Sequence, residues 1–166
     1  TLKKRFLILI LLIVAFTADF FRDYIFINLN YQLFYLEHTL RGIEVINYTD
    51  SLIENFISGI SISGIIKLKW FFSLLFIGFH ASLCFLAAYF SYKNNKNKYY
   101  SFIILFYILL ITLSSITYLL STLANDVSLQ FSFYYISMEL SHYLQSSLAF
   151  ISMIMVYELY PRLNNN

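Results

Sequence analysis

The stretch Trp70 to Tyr92, WFFSLLFIGFHASLCFLAAYFSY, contains no Asp, Glu, Lys or Arg, and its reading decides the fold class. As a helix it extends roughly 35 Å at 1.5 Å per residue, enough to cross a hydrocarbon core of about 30 Å with some tilt. Similar runs follow at Tyr99 to Leu123 and Ile136 to Tyr160. A shorter one begins near Phe6 and is expected to continue as helix through Arg22 and Asp23 toward Ile27. These spans, about 6–27, 70–92, 99–123 and 136–160, predict an all-α polytopic membrane protein with four transmembrane helices, a single membrane domain over residues 1–166.

Composition supports that class. Of 166 residues 60% are hydrophobic and only 12% are charged, which leaves too little polar surface for an ordinary soluble domain. One Pro and 4 Gly leave the apolar runs without helix breakers, so continuous helices are expected. The formal charge of +2 is set by basic residues at the membrane ends, which favours anionic lipid and gives no support to nucleic-acid binding.

Basic residues also set the expected orientation. Lys3, Lys4 and Arg5 precede the first run, Lys93, Lys96 and Lys98 fall in the polar loop 93–98, and Arg162 follows the last run. With four spans all of them share one side. The positive-inside rule then makes 93–98 a cytoplasmic loop and both termini cytoplasmic, in what is expected to be a bacterial inner membrane. The first run could be read as a signal peptide, but Phe16 stands where cleavage at Ala15-Phe16-Thr17-Ala18 wants a small residue. A retained signal anchor is therefore expected.

The segment of about 28–69 is the one sizeable extramembrane piece, and it is too apolar for a solvated linker. Leu52, Ile53, Phe56, Ile57 and Ile60 recur at helical spacing behind Ser51-Leu52-Ile53-Glu54, a capping-box pattern that predicts an interfacial amphipathic helix. Glu37 and Arg41, four apart, predict an ion pair on a second short helix. Ser58 to Gly64 alternates like a strand. A lone strand in lipid leaves its backbone unpaired, so a flexible or re-entrant lead into the second span is expected.

Ionisable and polar groups inside the runs are the candidates for chemistry, because burying them in lipid is costly. They are Asp19, His80, Glu139, His142 and Gln145. Glu139 and His142 show the E-x-x-H spacing with which one helix face offers a carboxylate and an imidazole to a metal, and His80 is the nearest further ligand. Bundle di-metal sites use two such motifs and two more Glu residues, and this chain has one. The alternative is internal pairing: a polar cluster of Arg22, Asp23, Glu139 and His142 near the outer face, with Glu139 bonded to Arg22 or Arg41. No cofactor is predicted on that reading; metal or haem belongs to the other.

His80 and Cys84 share a helix face, but a thiol in lipid stays protonated without a nearby positive charge. Cys84 fits better in a stripe of small residues, Ser73, Ala81, Cys84, Ala88 and Ser91, that lets helices approach closely. Matching stripes run along Thr112, Ser115 and Thr122 in the third run and along Ser141, Gln145, Ala149 and Ser152 in the fourth. A lone Cys says nothing about redox compartment, and no catalytic residue set is apparent.

Two stretches, Arg22-Asp23-Tyr24-Ile25-Phe26-Ile27-Asn28-Leu29-Asn30 and Ser137-Met138-Glu139-Leu140-Ser141-His142-Tyr143-Leu144-Gln145-Ser146-Ser147, together with the four-span layout, resemble small multi-span membrane proteins associated with bacterial exosortase systems. The resemblance implies an accessory role beside a membrane sorting enzyme. Exosortases themselves use Cys, Arg and His from separate helices, which Cys84 and His80 on one helix do not reproduce. Three functional classes follow: a non-catalytic accessory or scaffold subunit that binds other membrane protein subunits within the lipid bilayer, which the short loops favour; a metal- or haem-binding oxidoreductase component using Glu139, His142 and His80; and a small transporter.

Overall fold

A computed structural model describes residues 2–91 and 96–163. The chain forms α1 (Leu2–Leu40), α2 (Ser51–Ile57), α3 (Ile62–Ser91), α4 (Lys96–Leu123), α5 (Val127–Leu144) and α6 (Ser147–Leu163), with no strand among the described residues. Two helical segments, Ile62–Ser91 and Asn97–Leu123, are long and apolar enough to cross a membrane. Both are mostly exposed along their lengths, unlike the core helix of a soluble protein: Leu74 is 65% exposed, Leu105 61% and Leu119 57%. Apolar surface on that scale favours lipid or another membrane protein over water.

Four continuous spans are not what the chain forms. Asp19, Arg22 and Asp23 interrupt the apolar stretch of α1, and the fourth run is broken after Leu144 into α5 and α6, 18 and 17 residues long. The expected loop 93–98 lies partly outside the described residues; Lys96 and Lys98 already belong to α4.

The segment of about 28–69 also differs from expectation. Instead of ending near Ile27, α1 continues for 39 residues, roughly 58 Å, and α3 begins at Ile62, so the two run side by side beyond the apolar stretch. They bury Leu29 and Ile65 together with Ile57 of α2, flanked by Leu33, Leu36, Ile53 and Leu68. The predicted amphipathic helix exists as α2, but it packs on this helix pair, and Leu52 and Phe56 face outward. Its cap is Asp50, whose carboxylate accepts from the Leu52 amide at 2.9 Å; Glu54 instead receives the Asn47 amide at 2.9 Å. Glu37 and Arg41 form no ion pair, because α1 ends at Leu40 and Gly42 turns the chain away at φ 71°. The loop before α2 is tied down by polar side chains of α1: Asn28 accepts the Asp50 amide at 2.6 Å, and Gln32 accepts from Asn47 and Thr49 at 3.0 and 3.3 Å.

The main core lies in the other half of the bundle. There α6 docks antiparallel to α1 and against α3, and Ala15, Cys84, Ala87, Ala88, Ala149, Phe150, Met153 and Tyr157 are all fully buried. Small side chains on α1, α3 and α6 permit that close approach. An ion pair of 2.8 Å joins Lys4 to Glu158, so the start of α1 and the far part of α6 sit at the same end of the bundle. By contrast α5 packs chiefly on α4. Ser114 and Ser137 each donate to the other's backbone carbonyl, at 3.0 and 2.9 Å, and pin those two helices together. The expected α4 stripe is thereby shifted: Thr112, Ser115 and Thr122 face outward, whereas Ser114, Thr117 and Ser121 face inward.

Candidate functional site at the break between the last two helices

The break between α5 and α6 arises without Pro or Gly. Three polar residues in succession, Gln145, Ser146 and Ser147, offer local hydrogen bonds that compete with the helical ladder. The Gln145 amide is shared between the carbonyls of Ser141 and His142, both at 3.2 Å, and its backbone sits at φ −88°, ψ 6°. Ser146 turns its hydroxyl back to the Tyr143 carbonyl at 2.8 Å, so it does not cap α6. Across the break the Tyr143 hydroxyl donates to Ser152 Oγ at 2.6 Å.

A broken helix inside an apolar bundle exposes amides at one new end and carbonyls at the other, and each needs a partner. One turn of α1 supplies both. Asp19 accepts the Ser147 amide on its two carboxylate oxygens, at 3.1 and 3.0 Å, placing an anion at the N-terminus of α6. Arg22, three residues on, donates Nη1 to the Gln145 carbonyl at 2.9 Å, placing a cation at the C-terminus of α5. Each charge opposes the partial charge of the helix end it meets, an interaction worth typically 0.3–1 kcal/mol when exposed and about 2 kcal/mol in partly buried geometry.

The third element is α3, which brings His80. Its ring is fully buried, with Nδ1 2.9 Å from the Phe76 carbonyl and Nε2 3.3 Å from Asp19 Oδ1. The Asp19 contact is an ion pair by distance but lies off the line of a hydrogen bond, so Nε2 has no aligned partner. Arg22 Nη1 is 3.9 Å from Asp19 Oδ1, and its Nη2 and Nε hold Asp23 Oδ1 at 2.7 and 3.0 Å. Gln145 is 2% exposed; its amide donates to Ser141 Oγ at 2.8 Å while its Oε1 is buried without a partner. His80 is 11 residues from the end of α3, roughly 16 Å along the axis, so the cluster lies near mid-bilayer depth of a spanning α3.

The sequence candidates are therefore sorted differently. Asp19, His80 and Gln145 converge at the break, together with Arg22. Asp23 stays with Arg22, and His142 is within electrostatic reach of Arg22, Glu139, Asp23 and Lys69. Glu139 is exposed and faces the Tyr135 hydroxyl; it forms no ion pair with Arg22 or Arg41 among the described residues, because Arg22 is engaged by Asp23, Asp19 and the Gln145 carbonyl. His80 is not brought to Glu139 and His142, and among the described residues no three His, Cys, Asp or Glu side chains gather closely enough to hold a metal ion. Cys84 is fully buried, 3.9 Å from the Tyr107 hydroxyl, beside Ala88; Ala81 and Ser141 are half-buried on the same interfaces and Ala149 is fully buried.

What single-residue reading missed is the Ser147 amide, a backbone group that becomes a binding partner because the helix stops there. The run of Gln145, Ser146 and Ser147 is its signal in the sequence. No family model matches this chain, and no characterised protein or solved structure is measurably similar to it.

Proposed function

We propose that this chain is a non-catalytic accessory or scaffold subunit of a larger membrane protein complex, in a bacterial inner membrane and linked to protein sorting or export. In this reading α1 and the α5–α6 pair cross the bilayer beside α3 and α4, with both termini cytoplasmic. The polar content of α1 and of the break is no obstacle to burial, since Asp19, Arg22, His80 and Gln145 meet one another inside the bundle. The observation that carries the proposal is the outward side of the bundle: α4 and α5 present Leu105, Ile108, Leu109, Leu119, Phe131 and Tyr135, all at least half exposed, as a broad aromatic and aliphatic face for lipid or a neighbouring subunit. Affinity purification of the tagged chain from its host in mild detergent, with mass spectrometry and an absorption spectrum of the same sample, tests it. Stoichiometric larger membrane partners and a featureless spectrum are expected. A lone, functional protein carrying metal or haem would overturn the assignment.

One observation favours a second reading, a small transporter. The fourth apolar run is broken, and the break is lined by a carboxylate and an imidazole, as in carriers that bind ions at discontinuous helices. Ion flux into liposomes holding the purified chain, abolished by Asp19→Asn, would favour transport over scaffolding.

A further inference from the structure

We propose that the end of the bundle built from the starts of α1 and α4 and the far part of α6 is a docking surface for the headgroups of anionic phospholipids, which rests on the reading in which these helices cross a bilayer. Two consecutive residues of α6 join the three helices there. Tyr157 packs its ring on Tyr99 of α4, with centroids 4.7 Å apart, and Glu158 pairs with Lys4 of α1 at 2.8 Å. The start of each neighbouring helix is basic: Lys3 and Arg5 flank Lys4, Lys98 precedes Tyr99, and Lys3, Arg5 and Lys98 are all exposed. These three form no ion pair among the described residues, because Glu158, the one acidic residue described at this end, is held by Lys4.

The far end of the bundle has the opposite balance. Arg41, Lys67 and Lys69 are outnumbered there by the four acidic residues between Glu37 and Glu54 and by Asp126, and Lys69 donates to Asn30 at 2.8 Å. Excess cationic charge is thus confined to one end, the complement of an anionic leaflet. With both termini cytoplasmic, that end meets the cytoplasmic leaflet, whose surface potential is negative.

Depth along the helices matches a headgroup layer. The stretch from Arg5 to Asp19 extends roughly 21 Å along α1, and Asp19 meets His80 near mid-bilayer depth. Half a hydrocarbon core is about 15 Å and half a bilayer with its headgroups about 20–22 Å, so the turn holding Lys3 and Arg5 reaches the phosphates. Lys98 sits at a similar level, since its neighbour Tyr99 meets Tyr157 beside the Lys4–Glu158 pair. A lipid seated against α1 would present its phosphate oxygens to ammonium and guanidinium donors and lay its chains along the exposed Phe6 and Leu9.

Fluorescence quenching of the full chain in nanodiscs tests this. Trp70, the single tryptophan, is 58% exposed and lies against Tyr118 at the far end. A second protein, Trp70→Phe with Leu9→Trp, moves the reporter to the same face as Arg5, one turn deeper. Each is titrated with phosphatidylglycerol or phosphatidylcholine brominated on the acyl chains, in a background of unbrominated phosphatidylcholine. Brominated phosphatidylglycerol is expected to quench the Leu9→Trp reporter at a roughly fivefold lower mole fraction than brominated phosphatidylcholine, the factor for one cation at a charged membrane surface, while Trp70 shows no difference. High salt should weaken the preference, and Lys3→Gln, Arg5→Gln and Lys98→Gln together should abolish it, with Lys4 left to Glu158. Equal quenching of the Leu9→Trp reporter by the two lipids, or a preference that survives the triple change, would overturn the docking surface alone. Quenching by neither lipid at either position would overturn the membrane-spanning reading and the docking surface with it.

Discussion

Replacing Asp19 by alanine tests whether one side chain of α1 holds the two halves of the last hydrophobic run together. The change removes the acceptor of the Ser147 amide, the partner of His80 and one counter-charge of Arg22. Loss of a helix cap costs about 1 kcal/mol. The Ser147 amide left buried without its acceptor, and Arg22 without one of its counter-charges, add about 1–3 kcal/mol. The total, about 3 kcal/mol, agrees with the roughly 3–5 kcal/mol lost when one partner of a buried charge pair is removed. Asp19→Asn keeps an oxygen for the Ser147 amide but gives up the charge, so about half that loss is expected. Reversible unfolding in mixed micelles on titration with a denaturing detergent, followed by circular dichroism, measures both variants against wild type. The expected order of stability is wild type, then Asn, then Ala. If Asp19→Ala lies within about 0.5 kcal/mol of wild type, the range of ordinary surface substitutions, Asp19 is not the cap described here.

Three further outcomes follow from contacts elsewhere. Ser114→Ala and Ser137→Ala should each cost about 0.6 kcal/mol, and up to about 1.7 kcal/mol, with strong coupling in a double-mutant cycle because the two hydroxyls bond reciprocally; additive effects would mean the serines act independently. Cys84 is fully buried, so maleimide should label it in the native bundle only at the rate of unfolding, and rapid labelling of folded protein would contradict its placement. The paired substitution Asn28→Ala and Gln32→Ala should free the loop before α2, seen as faster proteolysis within residues 43–50 while the rest of the bundle stays protected.

The apolar runs were legible because helix formation in lipid is a local matter: every backbone group is satisfied within the segment, so hydropathy and length find α3 and α4 directly. The limits of the other elements were less legible for reasons visible in particular residues. The first helix is expected from the sequence to pass Arg22 and Asp23 and end near Ile27, yet α1 runs on to Leu40 because Leu29, Leu33 and Leu36 find Ile57, Ile65 and Leu68 to pack against. Ser51 looked like a cap from its spacing to Glu54, but Asp50, one residue earlier, offers the better acceptor and leaves Glu54 for Asn47. On α4 the stripe within the bundle is Ser114, Thr117 and Ser121 rather than Thr112, Ser115 and Thr122, because helical spacing gives a stripe without saying which stripe faces a neighbour in the same chain.

The candidate site was half visible. Composition and position single out Asp19, His80 and Gln145 as polar groups out of place in apolar runs, and the cost of burying them implies that each has a partner. Their mutual choice depends on depth and rotation of three separate helices, which residue spacing along one chain does not fix. Glu139 and His142 drew attention through E-x-x-H spacing, but that spacing does not say which face of α5 meets the bundle, and Glu139 lies on the exposed one.

From the sequence alone come the all-helical class, the two apolar helices that suit a membrane, the small residues at helix contacts, and the short roster of buried polar groups, all properties of single segments. Tertiary structure decided that the last run divides at Gln145 and Ser146, that Asp19 and Arg22 close the two new helix ends, and that His80 faces Asp19. Those outcomes depend on groups more than sixty residues apart satisfying one another inside the bundle, and only its packing brings them within 4 Å.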